Sequence, residues 1–321
     1  MLDDRIKQFR RSTFATSTKS TYRSQLRSYL KFCTEFKYSP VPATNVVLAR
    51  YIAYLSCNLN QSSIGCYLNV IRVLHLELGF QNPLHGNFYI SSLLKGVRRE
   101  LAQPPAQKLP ITPSILLKMY SNLNLARPIL ASFWAACLVA FFSFFRKSTL
   151  LPASTHHICE TQLCIQDIKF LPTYALLRVK HTKPLQFRDR LLEIPLPKVN
   201  GSPLCPVGAL QALRALGPNI PSQASLFSYP VPSGHAHLHY QSFSKILAQV
   251  LSLAGIQPSL YSGHSFRRGG ASFAFSVGIP SDLIKIQGDW SSDCYLRYLN
   301  SPLSQRLQLS QTMSSHISNI N

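Results

Sequence analysis

One apolar run constrains the fold of this chain more than any other feature. Residues Ile129 to Phe145 are apolar apart from Ser132 and Ser143. A run of 17 residues is at the short limit for a membrane span. Because the sequence holds a single run of this kind, and because it is followed by Arg146 and Lys147, we expect a buried helix at the centre of a globular domain. Such a helix would deliver Arg146 at its C-terminal end.

Helical periodicity dominates the N-terminal third of the chain. The predicted helices cover residues 17–37, 45–58, 62–78 and 88–101. Residues 1–12 are polar and basic, and we expect them to form a loose arm. Over residues 1–103, fourteen Lys and Arg stand against five Asp and Glu. This pattern predicts either a small helical DNA-binding domain or a plain helical bundle with a solvated basic face.

Prolines mark the boundary between two domains. Pro104, Pro105 and Pro110 lie close together, which is typical of a linker. We therefore predict an N-terminal helical domain over residues 1–103, a linker over 104–111 and a second domain over 112–321. In the second domain, three short strands are predicted at 164–170, 174–180 and 191–194. Helices are predicted there at 128–144, 206–215, 239–254, 264–277, 281–287 and 291–300. The fold class is mainly α with a small antiparallel β-sheet (α+β).

The chain is strongly basic. It has 33 Lys and Arg against 12 Asp and Glu, a net charge of +21 that is spread over both halves. This favours a nucleic-acid partner over a ribosomal or membrane-surface role. Eight cysteines without a Cys-x-x-Cys motif indicate reduced thiols in a cytosolic or nuclear protein. The N-terminal residues lack the apolar stretch of a signal peptide, and we expect no membrane association.

Six residues of the second domain have side chains that can bind phosphate or act as a nucleophile. They are Arg146, Lys183, His264, Arg267, Trp290 and Tyr298. His264 and Arg267 are three residues apart and share one face of a predicted helix, so they can bind a phosphate oxygen together. Lys183 lies between the second and third predicted strands. Cleavage of a phosphodiester bond needs a nucleophile, charge stabilisation on the non-bridging oxygens and an acid for the leaving oxygen.

The scarcity of acidic residues argues against a metal-dependent route. A two-metal nuclease needs clustered carboxylates, and the 12 Asp and Glu of this chain form no convincing cluster. The cations Arg146, His264 and Arg267 would stabilise the phosphate instead. Lys183 would protonate the leaving oxygen, and Tyr298 would be the nucleophile that forms a covalent phosphotyrosine. We therefore expect no metal and no small-molecule cofactor.

The sequence resembles the tyrosine recombinase (phage integrase) family from about residue 10 to residue 305. The resemblance is strongest in Phe142–Ser148, in His181-Thr182-Lys183, and from Gly263 to Tyr298. It implies a core-binding domain and a catalytic domain that form a C-shaped clamp around double-stranded DNA, and synapsis as a homo-tetramer. The family's catalytic positions fall on Arg146, Lys183, His264, Arg267 and Tyr298, with a further His/Trp position at Asp289-Trp290.

The resemblance leaves alternatives at two positions and departs from the family pattern at a third. Family spacing aligns Asp289 with the His/Trp position, whereas the neighbouring Trp290 has an indole N–H that can donate to phosphate. Tyr295 is a second tyrosine in range of the nucleophile position. The acidic residue that usually follows the first arginine by three positions is Thr149 here, which removes a partner for Arg146.

Three functional classes fit these observations. The first is an active site-specific recombinase, or integrase, of a mobile element. The second is a catalytically inactive DNA-binding protein derived from such an element, and the third is a type IB topoisomerase. The segment Leu283–Asp293 resembles recombinases of eukaryotic mobile elements, namely DIRS-like and Ngaro-type retrotransposons and Cryptons. That resemblance implies a nuclear protein; a chain from another source would be cytoplasmic.

Overall fold

The structure, a computed structural model, describes residues 1–102, 107–154, 162–180, 182, 191–298, 311 and 314. The chain divides into two units, Met1–Ala106 and Gln107–Asn321. This division falls within the proline-containing segment that separates the two predicted domains. The roles of the units as core-binding and catalytic domains stay predictions. The predicted fold class, mainly α with small antiparallel sheets, is confirmed.

Helices build the first unit. They are α1 (Leu2–Ser12), α2 (Thr16–Glu35), α3 (Asn45–Ser56), α4 (Gln61–Glu77) and α5 (Phe88–Glu100). Helices α3, α4 and α5 each begin after a polar residue, respectively Thr44, Asn60 and Asn87, whose side chain accepts a backbone N–H. Tyr29 of α2 and Tyr51 of α3 are fully buried, with ring centroids 5.1 Å apart. The core of this unit is therefore aromatic at its centre.

The prediction of a loose N-terminal arm was wrong, because residues 2–12 form α1. Its first turn carries Asp3 and Asp4 and its last turn carries Arg10 and Arg11, an order of charges that stabilises the helix dipole. Arg10 also forms an ion pair with Glu77 of α4. Helix α1 buries none of its side chains, although Leu2, Ile6 and Phe9 recur at helical spacing.

The second unit contains further helices and two small sheets. The helices are α6 (Pro113–Tyr120), α7 (Pro128–Ser143), α8 (Lys147–Leu150), α9 (Pro206–Leu216), α10 (Tyr240–Leu253), α11 (Gly263–Ser276) and α12 (Ser281–Gln287). The strands are β1 (Ile168–Phe170), β2 (Tyr174–Val179), β3 (Leu192–Pro197), β4 (Ser228–Val231) and β5 (Gly234–His237). After α12 comes a 3₁₀ helix, Asp293–Tyr298, where the sequence predicted an α-helix.

The first sheet is antiparallel in the order β1-β2-β3, and Leu177 of β2 lies opposite Ile168 of β1 and Ile194 of β3. Strand β1 begins later than predicted, because residues 165–167 form a 3₁₀ turn. Strand β3 extends past its predicted end because it is an edge strand, where Pro195 and Pro197 are tolerated. The hairpin of β4 and β5 was not predicted, since proline and glycine weaken the strand signal of its short segments.

Helix α7 forms the centre of the second unit. Its side chains from Ala131 to Phe141 are all buried, which confirms the prediction of a buried core helix. Ser132, one of its two polar residues, donates to the carbonyl oxygen of Phe227 at 2.7 Å. Within the described residues, no helix combines the length and the apolar character that crossing a membrane requires.

Two consecutive glycines let α11 approach its neighbours closely. A Cβ atom on Gly269 would lie 1.8 Å from the carbonyl oxygen of Ile111, and one on Gly270 would lie 2.0 Å from that of Phe141. The backbone N–H of Ile111 donates to the carbonyl of Ser265 at 3.0 Å. Helix α11 is thereby packed directly against α7 and against the chain segment that precedes α6.

Candidate active site

Helix α11 carries His264 and Arg267 in its first turns. Ser262 caps the helix: its Oγ accepts the backbone N–H of His264 at 3.2 Å, and its own N–H donates to Ser265 Oγ at 3.0 Å. This capping box starts the helix at Gly263. His264 is exposed, whereas Arg267 is only 1% exposed. One helix start thus presents an accessible imidazole beside a buried cation.

The guanidinium of Arg267 is enclosed but only partly hydrogen-bonded. Its Nη1 donates to the carbonyl oxygens of Gly288, at 2.9 Å, and of Phe144. Its Cζ lies 3.7 Å from the ring centroid of Trp290, a cation–π contact. Nε and Nη2 are buried without a hydrogen-bond partner among the described residues. Two unpaired donors on a fixed guanidinium suit an anionic oxygen ligand.

Arg146 follows a sharp change in chain direction at the end of α7. Phe144 ends the helix in the left-handed conformation, with φ 53° and ψ 27°, which a bulky residue rarely adopts. Its carbonyl accepts from Arg267 and its ring centroid lies 6.2 Å from that of Trp290. These contacts stabilise an unfavourable backbone conformation. Arg146, two residues later, directly precedes α8 and is half-buried.

The segment Gly288-Asp289-Trp290 closes the arginine pocket. A Cβ atom on Gly288 would lie 1.7 Å from the Trp290 ring, so glycine is needed there. Asp289 is buried with φ 50° and accepts a hydrogen bond from Thr182 Oγ1. The Nε1 of Trp290 is buried without a partner within the described residues. Trp290 thus provides a packing face for Arg267, and donation from its indole N–H to phosphate stays a prediction.

The two candidate nucleophiles occupy different environments. Tyr298 is half-buried, and its Oη lies 2.9 Å from Nε2 of His264. Tyr295 is 5% exposed, and its ring centroid lies 5.7 Å from that of Trp290. In a 3₁₀ helix, residues three apart lie on the same side, so both rings contact Trp290. The hydrogen bond to His264 distinguishes Tyr298 and favours it as the nucleophile.

Neighbouring cations and burial alter the titration of the site. Although His264 keeps access to solvent, partial desolvation of its ring lowers its pKa below the ordinary value, and Arg267, Arg146 and Arg268 lower it further. The imidazole is therefore neutral at neutral pH and can accept the Tyr298 proton when Nε2 is the unprotonated nitrogen. Burial, followed by Arg146, lowers the pKa of Arg267 to about 9, so its guanidinium is still a cation at neutral pH.

Lys183 lies outside the described residues. The residue before it, Thr182, is 4% exposed and donates its hydroxyl to Asp289. Of the predicted set, the structure brings together Arg146, His264, Arg267, Trp290 and Tyr298. Within the described part of the chain, no three His, Cys, Asp or Glu side chains group as metal ligands.

Sequence reasoning missed three groups that complete this arrangement. The carbonyl oxygens of Phe144 and Gly288 bind Arg267, and backbone carbonyls leave no signal in a sequence. Ser272 of α11 donates its hydroxyl to the carbonyl oxygen of Tyr298. A serine inside a helix gives no functional signal by itself. Its position on the same helix as His264 and Arg267 is the one sequence feature that points to it.

Comparison with solved structures identifies the fold. The λ integrase dimer bound to a COC′ core site gives a TM-score of 0.61 at 14% identity, covering 93% of this chain and 94% of that one. The Tn1549 transposon integrase with transposon right end DNA gives 0.64 at 12% identity, covering 96% and 98%. The XerH recombinase in a post-cleavage complex with palindromic difH gives 0.62 at 15% identity, covering 92% and 78%.

The chain has the tyrosine recombinase fold. In sequence, the chain is similar to the integrase/recombinase XerD homolog of Selenomonas ruminantium, with 22% identity over 268 residues, covering 81% of this chain and 74% of that protein. No family model matches the sequence. The affiliation with eukaryotic mobile elements stays a prediction.

Proposed function

We propose that this chain is a site-specific DNA recombinase that cleaves and rejoins strands through a covalent 3′-phosphotyrosine at Tyr298. One observation carries the proposal: the Tyr298 hydroxyl meets the His264 imidazole at 2.9 Å, beside the buried guanidinium of Arg267, in a tyrosine recombinase fold. A phenol hydrogen-bonded to a neutral base and next to unpaired cationic donors suits attack on a phosphate.

The proposed cleavage step has a defined proton balance. The Tyr298 oxygen attacks phosphorus and its proton passes to Nε2 of His264. The bond from phosphorus to the 5′ oxygen breaks, and that oxygen takes a proton from Lys183, which the sequence predicts to be the general acid. Rejoining runs in reverse: a 5′-hydroxyl attacks the phosphotyrosine and Tyr298 leaves. The phosphotyrosine bond conserves the energy of the broken strand, so ATP is not needed.

Protein cations would stabilise the pentacoordinate phosphate. Arg267 offers two donors without partners among the described residues, and Arg146 lies close enough to lower the pKa values of both His264 and Arg267. Fixed donors in a pocket shielded from water stabilise developing charge more strongly than donors in water. We propose that this cationic set acts without a metal ion or other cofactor.

The partner in this proposal is double-stranded DNA. The solved relatives include integrase and recombinase complexes with core-site, difH and transposon-end DNA, and this chain has a net charge of +21. Positive charge on both units supports contacts from each of them. We propose assembly as a homo-tetramer on paired sites. Integration of a mobile element is the proposed biological role, with nuclear localisation if the element is eukaryotic and cytoplasmic localisation otherwise.

A trapping experiment tests the function. A binding site is first selected from a library of randomised duplexes with the Tyr298→Phe variant. The wild-type protein is then incubated with a nicked suicide substrate that carries this site, in excess chelator. We expect a covalent adduct that maps to Tyr298 and is absent from Tyr298→Phe, which should bind DNA with nearly wild-type affinity. An adduct on Tyr295, or loss of activity with chelator, would overturn the mechanism.

The same material separates the alternative classes. A catalytically inactive DNA-binding protein would bind the selected site and form no adduct. A type IB topoisomerase would relax supercoiled plasmid lacking the site as well as plasmid carrying it. A recombinase should exchange strands between two site-containing duplexes.

The role of Lys183 has its own test. Lys183→Ala should slow cleavage of ordinary DNA, because the 5′ oxygen then leaves without a proton. A substrate with sulfur in place of that oxygen needs little protonation and should restore the rate. Equal loss on both substrates would mean that Lys183 binds phosphate instead.

A further inference from the structure

We propose that Ser272 is a positioning residue, which holds the backbone of Tyr298 against α11 and thereby aligns the phenol with His264. This inference rests on the proposed function, because it assumes that Tyr298 is the nucleophile. It adds a residue that contacts the backbone of Tyr298 and would act through that residue.

Helix α11 contacts Tyr298 at both ends of the residue. Ser272 Oγ donates to its carbonyl oxygen, and Nε2 of His264 meets its hydroxyl at 2.9 Å. The two helix residues are eight positions apart, which corresponds to about 12 Å along the helix axis. The phenol therefore runs along α11 toward its N-terminus. A single rigid element fixes both the backbone and the reacting oxygen of the nucleophile.

The 3₁₀ helix that carries Tyr298 needs such support. It spans six residues, Asp293 to Tyr298, and 3₁₀ helices of this length are uncommon because their hydrogen-bond geometry is poor. Its start is held by an ion pair between Lys285 and Asp293 at 2.7 Å, which is exposed and therefore weak. Its middle is held by the buried ring of Tyr295. Ser272 is the described side chain that hydrogen-bonds the carbonyl at its end.

Loss of this hydrogen bond should affect the two chemical steps unequally. Before cleavage, Tyr298 is free and depends on the protein for its position. After cleavage, the covalent bond to phosphorus itself holds the tyrosine in place. Removing the Ser272 hydroxyl should therefore slow cleavage strongly and rejoining little, because only cleavage begins from a tyrosine that must first be aligned.

The test compares Ser272→Ala, Ser272→Thr and the control Ser276→Ala. Ser276 lies on the same helix and donates to the carbonyl of Phe273 instead. Single-turnover adduct formation is measured on the selected suicide substrate, and rejoining is measured by adding a 5′-hydroxyl strand to preformed adduct. We expect cleavage by Ser272→Ala to fall about 10- to 100-fold, with DNA affinity and melting temperature near wild type. Ser272→Thr should restore most of the rate, and Ser276→Ala should cleave normally.

Two results would overturn the role of Ser272 while leaving the proposed function intact. One is wild-type cleavage by Ser272→Ala. The other is an equal loss of cleavage and rejoining together with a lower melting temperature, which would indicate a purely structural serine. If wild type itself forms no adduct, the proposed function fails, and the positioning role fails with it.

Discussion

Two equally buried polar side chains, His75 in the first unit and Arg267 in the second, differ in how completely they are hydrogen-bonded. In the first unit His75 is 1% exposed, its Nδ1 pairs with the carbonyl of Ile71 and its Nε2 accepts the N–H of Ala43, each at 2.8 Å. In the second unit Arg267 is equally buried but leaves Nε and Nη2 without partners among the described residues. Unpaired buried donors cost stability. His75 therefore supports the scaffold, whereas Arg267 keeps donors that suit the phosphate ligand proposed for it.

The exposed cations of the first unit also differ from Arg267 of the second unit, because no fixed contacts hold them in the part of the chain that the structure describes. Arg23, Arg27 and Lys31 lie four residues apart on α2 and are exposed, and none has an ion pair within the described residues. Like charges at this spacing repel each other and weaken a helix. Such a stripe, unlike Arg267, has no defined geometry to offer a phosphate. It suits the salt-dependent attraction of a long polyanion.

The largest expected effect comes from the buried cation. Arg267→Met should lower the rate of adduct formation about 10²- to 10³-fold, because it removes donors aimed at the developing charge. The melting temperature should change little, since the lost hydrogen bonds are offset by removal of a buried charge. Arg178→Met is the control, because Arg178 is an exposed arginine of the same unit that pairs with Glu193 at 2.9 Å. If Arg267→Met cleaves within tenfold of the wild-type rate, Arg267 is a structural residue like His75.

The exposed stripe should act on affinity instead of rate. Replacing Arg23, Arg27 and Lys31 by glutamine should lower the slope of log affinity against log salt by about 2 to 3, since each lost phosphate contact removes about 0.9. Cleavage at saturating DNA should be unchanged. The matched control replaces Lys95, Arg98 and Arg99 of α5, which are also exposed.

The salt series distinguishes a defined DNA-contacting surface on α2 from attraction by the overall charge of the first unit. If the α2 and α5 variants lose the same slope, the first unit attracts DNA by its overall charge, and α2 is not a defined surface. If neither variant alters the slope, the first unit makes no phosphate contact through these helices.

The satisfied histidine should matter for stability alone. His75→Leu leaves the N–H of Ala43 unpaired in the core, which should lower the free energy of unfolding of the first unit by about 1–3 kcal/mol. Denaturant unfolding followed by tyrosine fluorescence measures this change. His85→Leu, at an exposed position, should leave stability nearly unaltered. A loss of cleavage without a loss of stability in His75→Leu would contradict the scaffold role.

The smallest expected effect is a shift in titration. The pKa of His264 is lowered by burial and by Arg267, Arg146 and Arg268, so its midpoint should lie below the ordinary value of about 6.5. Because the neutral imidazole is the base, cleavage should persist as pH falls to that point and decline only below it. NMR of labelled histidine, assigned with His264→Gln, checks this. Arg146→Met should raise the midpoint, and Arg50→Met, in the first unit, should not move it.

Much of the fold could be predicted from the sequence because its signals are local. Helices α2 to α5 follow from apolar periodicity and from polar caps such as Thr44 and Asn60. The burial of α7 follows from its run of apolar side chains. A helix that is apolar on all sides is buried in the core of a globular protein. The β4–β5 hairpin was missed because its short segments lack an alternating apolar pattern. Helix α1 was missed although Leu2, Ile6 and Phe9 recur at helical spacing, because its many charged residues outweighed that pattern.

The candidate site also combines features that the sequence indicates with features that only the tertiary structure fixes. The residue types and spacings of His264, Arg267 and Tyr298 are local and were read from the sequence. Tertiary structure decided which tyrosine meets the imidazole: Tyr295 and Tyr298 lie three residues apart on one side of a short helix, but the hydrogen bond to His264 is made by Tyr298, while Tyr295 is buried. It also decided that Arg267 is held by the carbonyls of Phe144 and Gly288 and that Ser272 donates to the carbonyl oxygen of Tyr298. These contacts join residues far apart in the chain, through backbone atoms that every residue possesses.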